Sequence, residues 1–346
     1  MSWLLYGAYG YTGRLILAAA LRRGLRPVLG GRDPEKTATL AERHGLEHRA
    51  FPLDEPGAVA SGVGGMGAVL NAAGPYSATF EPVVRACLAV GSHYLDVTGE
   101  IDVLERAFAL DARAREAGVA VIPAVGFDVV PSDCLAVRVA SRIERPTSLD
   151  LAFVASGPTS RGTARTIVEG MGQRGRIRRD GELVDVPFGS VTRRIPFSDR
   201  RREAAAIPWG DLSTAYRSTG VGNLRVFTAL PAAARVAARA LGPLLRTGPF
   251  RRVARAAVDR FVAGPDEDEL ARGGARVWCE ARNARGEVAT GEITTPNGYA
   301  LTGEAAAAAV KRLLEGSVDR LGTLTPAQAF GAGFVFELGG VERVEG

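Results

Sequence analysis

The sequence predicts an α/β chain: a doubly wound parallel sheet, then a second α+β domain with a mainly antiparallel sheet. Three observations carry that reading. A glycine-rich turn, GAYGYTG (7–13), lies between a short apolar run and an Ala/Leu-rich helical pattern. Strand and helix patterns then alternate up to about residue 146. Beyond Pro146 the alternation stops and short strand patterns dominate.

Trp3–Tyr6 is an apolar strand that ends at Gly7. Leu15, Ile16, Ala19 and Ala20 share one face of a helix over Thr12–Arg23, with Gly24 as its C-cap. Pro27–Gly31 is a second strand. Asp33 then serves as N-cap and Pro34 as first helical residue of a helix to about His44, closed by Gly45. A short strand follows near His48–Leu53. GAVLNAAG (67–74) is a buried strand entering a glycine turn, Glu81–Val90 a helix and His93–Gly99 a strand. Asp102–Ala117 is a helix, Val119–Gly126 a strand and Pro131–Ile143 a helix. Strands alternating with helices imply parallel strands joined by right-handed crossovers, a Rossmann-type sheet over residues 1–146.

Residues 147–319 form the expected second domain. Residues 147–156 read as a strand, 161–175 as a helix and 176–202 as strands. Residues 231–262 are helical with arginines on one face, and GPDEDE (264–269) is an acidic loop. A hairpin over 274–295 turns near Asn283–Gly286, and Thr302–Leu314 is a helix.

A chain of 346 residues holds about two domains by the usual size prior. The three cysteines have no metal-site spacing, and three scattered histidines make no metal centre, so no metal is expected. No signal-peptide pattern and no window of 18 apolar residues is present, so a cytoplasmic protein without a membrane span is expected. The net charge of +5 could suggest nucleic acid, but no aromatic-interleaved basic motif accompanies it. Only Lys36 and Lys311 among the 43 basic residues are lysines, a preference that fits codon bias in a GC-rich bacterium.

Ligands of such sheets bind outside the carboxyl ends of the strands. Those ends carry GAYGYTG, GGRD (30–33), LDE (53–55, with Asp54), NAAGPY (71–76), DVTGE (96–100) and VGFDVVPSD (125–133). Glycines let the backbone approach a pyrophosphate at a helix N-terminus. Gly10 and Gly13 keep the spacing of the last two glycines of the G-x-G-x-x-G fingerprint. Ala8 replaces the first, and Gly7 stands one residue earlier. The turn is thus a candidate cradle built from Gly7, Ala8, Tyr9, Gly10, Tyr11, Thr12 and Gly13. Arg32 at the end of the second strand suits the 2′-phosphate of NADP. Asp33 reads as an NAD-type acid or, better, as a helix cap.

GAYGYTG, GGRDPEK, NAAGPY, YLDVTGE and GFDVVPSD resemble, in this order, the motifs of saccharopine dehydrogenase-like NADP-binding proteins. GPDEDE, PNGYALTGEAA and LTPAQAFG are similar to the bacterial branch called trans-acting enoyl reductases. The resemblance implies NADP (NADPH) held by residues 7–13, by Arg32 and by the Asn71, Ala72, Ala73, Gly74 and Tyr76 loop beneath the nicotinamide. It also implies a second domain that shapes a substrate pocket, and a C-terminal segment (about 320–346) that returns to the first domain.

The residues leave the reaction open. Tyr76 is a candidate proton donor beside the nicotinamide, or packing under its loop. Asp128 could orient the nicotinamide amide or the substrate, or bond its own turn. Asp96 and Glu100 are expected to hold loops together by accepting backbone N–H groups, Tyr94 to be core and His93 to lie on the surface. Cys87 and Cys134 are expected as small buried hydrophobes. The functional expectation is an NADPH-dependent oxidoreductase reducing the C=C bond of an apolar, enoyl-type substrate, free or carrier-linked. C=N reduction of amino-acid-type substrates and a non-catalytic NADP-binding regulator stand as alternatives. Peripheral membrane contact and a homodimer stay open.

Overall fold

A computed structural model describes residues 2–155, 174–230 and 273–344, with isolated positions between 247 and 260. The helices expected over 161–175 and 231–262 and the loop at 264–269 lie outside the described residues, save for a few positions. The chain divides into two compact units. One comprises Met1–Cys134 and Tyr299–Gly339; the other comprises Leu135–Gly298 and Gly340–Gly346.

The first unit alternates strand and helix: β1 (Trp3–Tyr6), α1 (Tyr11–Arg22), β2 (Val28–Gly31), α2 (Pro34–His44), β3 (His48–Ala50), α3 (Pro56–Val63), β4 (Ala68–Asn71) and α4 (Tyr76–Val90). Then come β5 (His93–Asp96), α5 (Ile101–Phe108), α6 (Asp111–Glu116), β6 (Ala120–Ile122) and the start of α7 (Val130–Ala140), a helix divided between the units after Cys134. Leu4, Tyr6, Val69, Phe80, Val84, Tyr94 and Val121 belong to one buried cluster. Burial of such strands on both faces explains their continuous apolar runs.

Three departures from the sequence reading have local causes. Helix α4 starts at Tyr76 instead of Glu81, because its first N–H groups find an acceptor from another loop, and Pro82 lies inside it. The helix expected over Asp102–Ala117 breaks into α5 and α6. Helix α3 carries Gly62 at a place where a Cβ would come within 2.3 Å of the Phe51 ring, so a packing glycine masks the helical pattern.

The second unit is built on β7 (Pro146–Ala155), β8 (Gly175–Arg179), β9 (Glu182–Val186), β10 (Thr192–Pro196), β11 (Arg201–Ala206), α8 (Asp211–Thr219), β12 (Asn223–Ala229), β13 (Gly274–Asn283), β14 (Val288–Pro296) and β16 (Glu342–Val344). Its main path runs β10-β11-β12-β7-β13-β14-β16, antiparallel except where β12 meets β7. The carboxylates of Asp150 and Glu280 are 4% and 6% exposed on neighbouring strands. Arg193 spans both, and Arg225 and Arg282 complete the network.

The chain then re-enters the first unit through α9 (Gly298–Leu314), β15 (Gly322–Thr323) and α10 (Pro326–Phe330). Helix α9, expected in the second domain, packs on α1. A Cβ at Gly303 would come within 3.0 Å of the Leu15 carbonyl, and Arg22 and Arg23 both pair with Glu304. Among the described residues the parallel sheet has the order β15-β6-β5-β4-β1-β2-β3. No described helix is long and apolar enough to cross a membrane, and no described cluster of His, Cys, Asp or Glu could hold a metal ion.

Candidate functional site

Strand register brings the loops together. Tyr6, the last residue of β1, pairs with Gly30 of β2 and Asn71 of β4, and Asn71 pairs with Asp96 of β5. The segments that follow therefore leave one edge of the sheet side by side.

Gly7 has φ +82°, and a Cβ there would lie 2.8 Å from the Ala73 N atom. Only glycine lets these two loops touch. A Cβ at Gly13 would lie 2.3 Å from the Gly7 carbonyl oxygen, so helix α1 sits directly on the turn. The N–H groups of Gly7 and Ala8 both donate to the Gly30 carbonyl, and Ala8 is fully buried. The first N–H to find an acceptor one helical turn back is that of Arg14, on Gly10. The first N–H groups of a helix have no acceptor one turn back within the helix. That end has no side-chain cap and no acid in its first turn. By contrast, Asp33 caps α2 and Glu100 occupies the start of α4. Of these three helix ends, α1 is the one left ready for an anion. The ring of Tyr11 meets Tyr299 of α9 edge-on at 5.4 Å between centroids.

Arg32 is exposed and makes no ion pair with any described residue. Asp33 uses one carboxylate oxygen for the Lys36 N–H and the other for the Lys36 ammonium, at 3.1 and 2.7 Å. That is the cap expected from the sequence. Burial, then Tyr9 and Asp54 against the opposing Arg32, pushes the Tyr6 phenol up to about 12; the exposed Asp54 therefore shares this corner with Arg32.

At the other end of the edge, Asn71 accepts the Ala73 N–H and donates to Thr79, whose hydroxyl donates back to the Ala73 carbonyl. This fixes the NAAGPY loop. Asp96, fully buried, accepts from the N–H groups of Thr98 and Ala124 and from the Tyr94 hydroxyl. Glu100 accepts from the N–H groups of Tyr76 and Ser77. Both carboxylates thus tie loops together, as expected.

Tyr76 and Asp128 are half-buried and close enough to interact. Burial, with the carboxylates of Asp96, Asp128 and Glu100 adding to it, holds the Tyr76 phenol well above its ordinary range. Burial also lifts the carboxyls of Asp128 and Asp96 from 3.8 to about 6 each. A Cβ on Gly99 would come within 2.8 Å of an Asp128 oxygen, so Asp128 lies against the DVTGE loop.

Sequence reasoning missed Thr302, whose hydroxyl accepts the Phe127 N–H at 3.0 Å across 175 positions, and with it Tyr299. No local pattern announces either contact. His93 is a correction: it is half-buried, and its Nδ1 accepts the N–H of Ala120 at the start of β6. Burial lowers its pKa, which keeps this acceptor nitrogen unprotonated.

Comparison with known proteins agrees with this geometry. Residues 3–122 match the family model described as the saccharopine dehydrogenase NADP binding domain. The chain is 26% identical to a saccharopine dehydrogenase-like oxidoreductase of Bos taurus over 249 residues, 62% of this chain and 58% of that protein. It is 33% identical to a trans-acting enoyl reductase of Mycobacterium leprae over 138 residues, 38% of this chain and 33% of that protein. The chain thus spans between a third and three-fifths of the length of these curated relatives. Saccharopine dehydrogenase (L-Glu forming) of Saccharomyces cerevisiae shares the fold, with TM-score 0.66 at 13% identity over 99% of this chain and 100% of that one. The glycine cradle, the helix end without a side-chain cap and Arg32, which makes no ion pair with any described residue, fit NADP on this chain's own residues. Residues 3–122, which hold the glycine cradle and Arg32, are thus similar to the NADP binding domain of saccharopine dehydrogenase.

Proposed function

We propose that the chain is an NADPH-dependent reductase of an uncharged, apolar enoyl-type substrate, free or linked to a carrier, with Tyr76 as proton donor and Asp128 beside it. Residues 7–13 and Arg32 would hold the dinucleotide, Asp54 would line its ribose end, and Asn71, Ala72, Ala73 and Gly74 would bear its nicotinamide half. The bound cofactor supplies the hydride. The observation that carries the reading is the surround of the Tyr76 phenol, acted on by three carboxylates, Asp96, Glu100 and Asp128.

An acidic surround repels a substrate carboxylate, so it disfavours anionic amino-acid and keto-acid substrates. It also keeps the phenol protonated at neutral pH. Reduction of an enoyl group creates a strongly basic enolate carbon, to which even a weak acid gives up its proton. Asp128, with a carboxyl near 6, can carry a proton to the phenol afterwards. The likeness to trans-acting enoyl reductases supports the choice of C=C over C=N.

The test follows consumption of NADPH with enoyl thioesters and, separately, with imine-forming pairs of amino acid and keto acid. Turnover of the thioesters, lost in Tyr76→Phe while NADPH binding persists, is the expected result. Turnover of the imine-forming pairs alone reverses the assignment. Tight NADPH binding with neither substrate class consumed leaves an NADP-binding regulator.

A further inference from the structure

We infer that Thr302, on helix α9, is a positioning residue for Asp128: it holds that carboxyl in place through the backbone of the loop after β6. The inference rests on the roles proposed above for Tyr76 and Asp128, and adds the residue that aims the second of them.

The loop is strained where it begins. Ala124 has φ +62°, a left-handed conformation that is costly for a residue with a Cβ and persists only where its surroundings impose it. Asp96 supplies that constraint. Its carboxylate accepts the Ala124 N–H at 2.9 Å, and its carbonyl accepts the Val125 N–H at 2.7 Å. Ala124 is also buried in one cluster with Leu104, Phe108 and Val129.

The loop is clamped again where it ends. Thr302 Oγ1 accepts the Phe127 N–H at 3.0 Å. A Cβ on Gly126 would lie 3.0 Å from Thr302 Cγ2 and 3.2 Å from Val97 Cβ, so the backbone passes closely between those two side chains. The Gly126 carbonyl accepts the Val130 N–H at 2.9 Å, which closes the turn that carries Phe127 and Asp128. The Asp128 carboxyl is delivered against Gly99 from a loop with two anchors, Asp96 at its start and Thr302 at its end.

Helix α9 is seated independently of the Phe127 bond. Gly303 lies against the Leu15 carbonyl, Glu304 pairs with Arg22 and Arg23, and Tyr299 meets the Tyr11 ring. Loss of the Thr302 acceptor should therefore free the Asp128 loop and leave the helix and the glycine cradle where they are. It should also leave the Phe127 N–H without this partner, so the loop gains a reason to move.

Thr302→Val keeps the shape of the side chain and removes the acceptor, whereas Thr302→Ser keeps the acceptor. In turnover of enoyl thioesters by the whole chain, Thr302→Val is expected to lower kcat about tenfold, with Thr302→Ser near the parent and NADPH affinity within about twofold in both. In an Asp128→Asn background the Thr302→Val change should cost less than about twofold, because the group it aims is gone. Full additivity of the two changes, an equal loss in Thr302→Ser, or a parallel fall in NADPH affinity overturns the inference. A second measurement needs no turnover. At about pH 8 the urea midpoint of Asp128→Asn should lie above that of the parent, and in a Thr302→Val background the gap should close, because a released carboxylate reaches water. No gap in the parent background, or the same gap in both, also overturns the inference. A gap that closes in a chain that consumes no enoyl thioester would refute the proposed reaction and leave the role of Thr302 standing.

Discussion

Glu100 grips the first two N–H groups of helix α4, those of Tyr76 and Ser77, at 2.8 and 3.0 Å. The carboxylate belongs to the loop after β5, so Tyr76 is held in place by a residue 24 positions away. Glu100→Ala should cost about 1 kcal/mol of stability, the usual worth of a helix cap. It should also lower kcat about tenfold through loss of alignment, while NADPH affinity, which the proposed function assigns to α1, stays within about twofold. Glu100→Gln, which keeps one acceptor oxygen, should restore most of the rate. Equal loss of NADPH binding in both variants would show that Glu100 supports the whole edge and not Tyr76.

Gly7 should tolerate no side chain. Gly7→Ala places a Cβ 2.8 Å from the Ala73 N atom and imposes φ +82° on an L-residue. The expected cost is about 2–4 kcal/mol in a urea unfolding curve, with loss of dinucleotide binding. Gly74→Ala is the control, because an added Cβ there meets nothing closer than Tyr76 at 3.9 Å.

The acid side of the stability profile should carry two opposed signatures. Asp96 and Asp128 have folded pKa values raised from 3.8 to about 6, so the folded chain binds protons more readily than the unfolded one between these values. Their contribution makes stability fall as pH rises from about 4 to 6. Asp128→Asn removes the penalty of a buried charge. It should be more stable than the parent by about 1 kcal/mol at pH 7–8, discounted for partial exposure, and should match it near pH 4. His93 acts the other way: its folded pKa lies below 6.5, so stability drops as pH falls below that value. Denaturant midpoints of His93→Gln against the parent should converge near pH 8 and diverge in favour of the variant near pH 5.

In the second unit, Arg193→Met should be costly. It strips a counter-ion from two carboxylates that are 4% and 6% exposed, leaving Asp150 to Arg225 and Glu280 to Arg282. A loss of about 2–4 kcal/mol is expected. Replacing Asp150, Glu280 and Arg193 together with apolar residues should recover much of it. A single-variant loss below about 0.5 kcal/mol, the scale of a surface pair, would show that the network is solvated.

The alternation of strands, the cap at Asp33 and the glycine cradle were legible because each is written in neighbouring residues. So were the loop-tying roles of Asp96 and Glu100, since acids at strand ends commonly accept backbone N–H groups. What escaped depends on distant residues. The start of α4 is set by Glu100, and a single glycine packed against Phe51 hid α3. The bond of His93 to Ala120 follows from strand register. Thr302 reaches Phe127 only because α9 folds back onto α1, and no periodicity near residue 302 records that destination.

The short strand β15 has a consequence for how the chain is made. Gly322 and Thr323 add to β6 some 200 positions after it, with Thr323 also donating to the Ala107 carbonyl and receiving support from Asp111. During synthesis the β6 edge stays bare until the second unit has been translated, and a chain cut at residue 122 would expose it permanently. An open strand edge recruits other strands, so a fragment bounded by the matched family domain should aggregate where the whole chain does not.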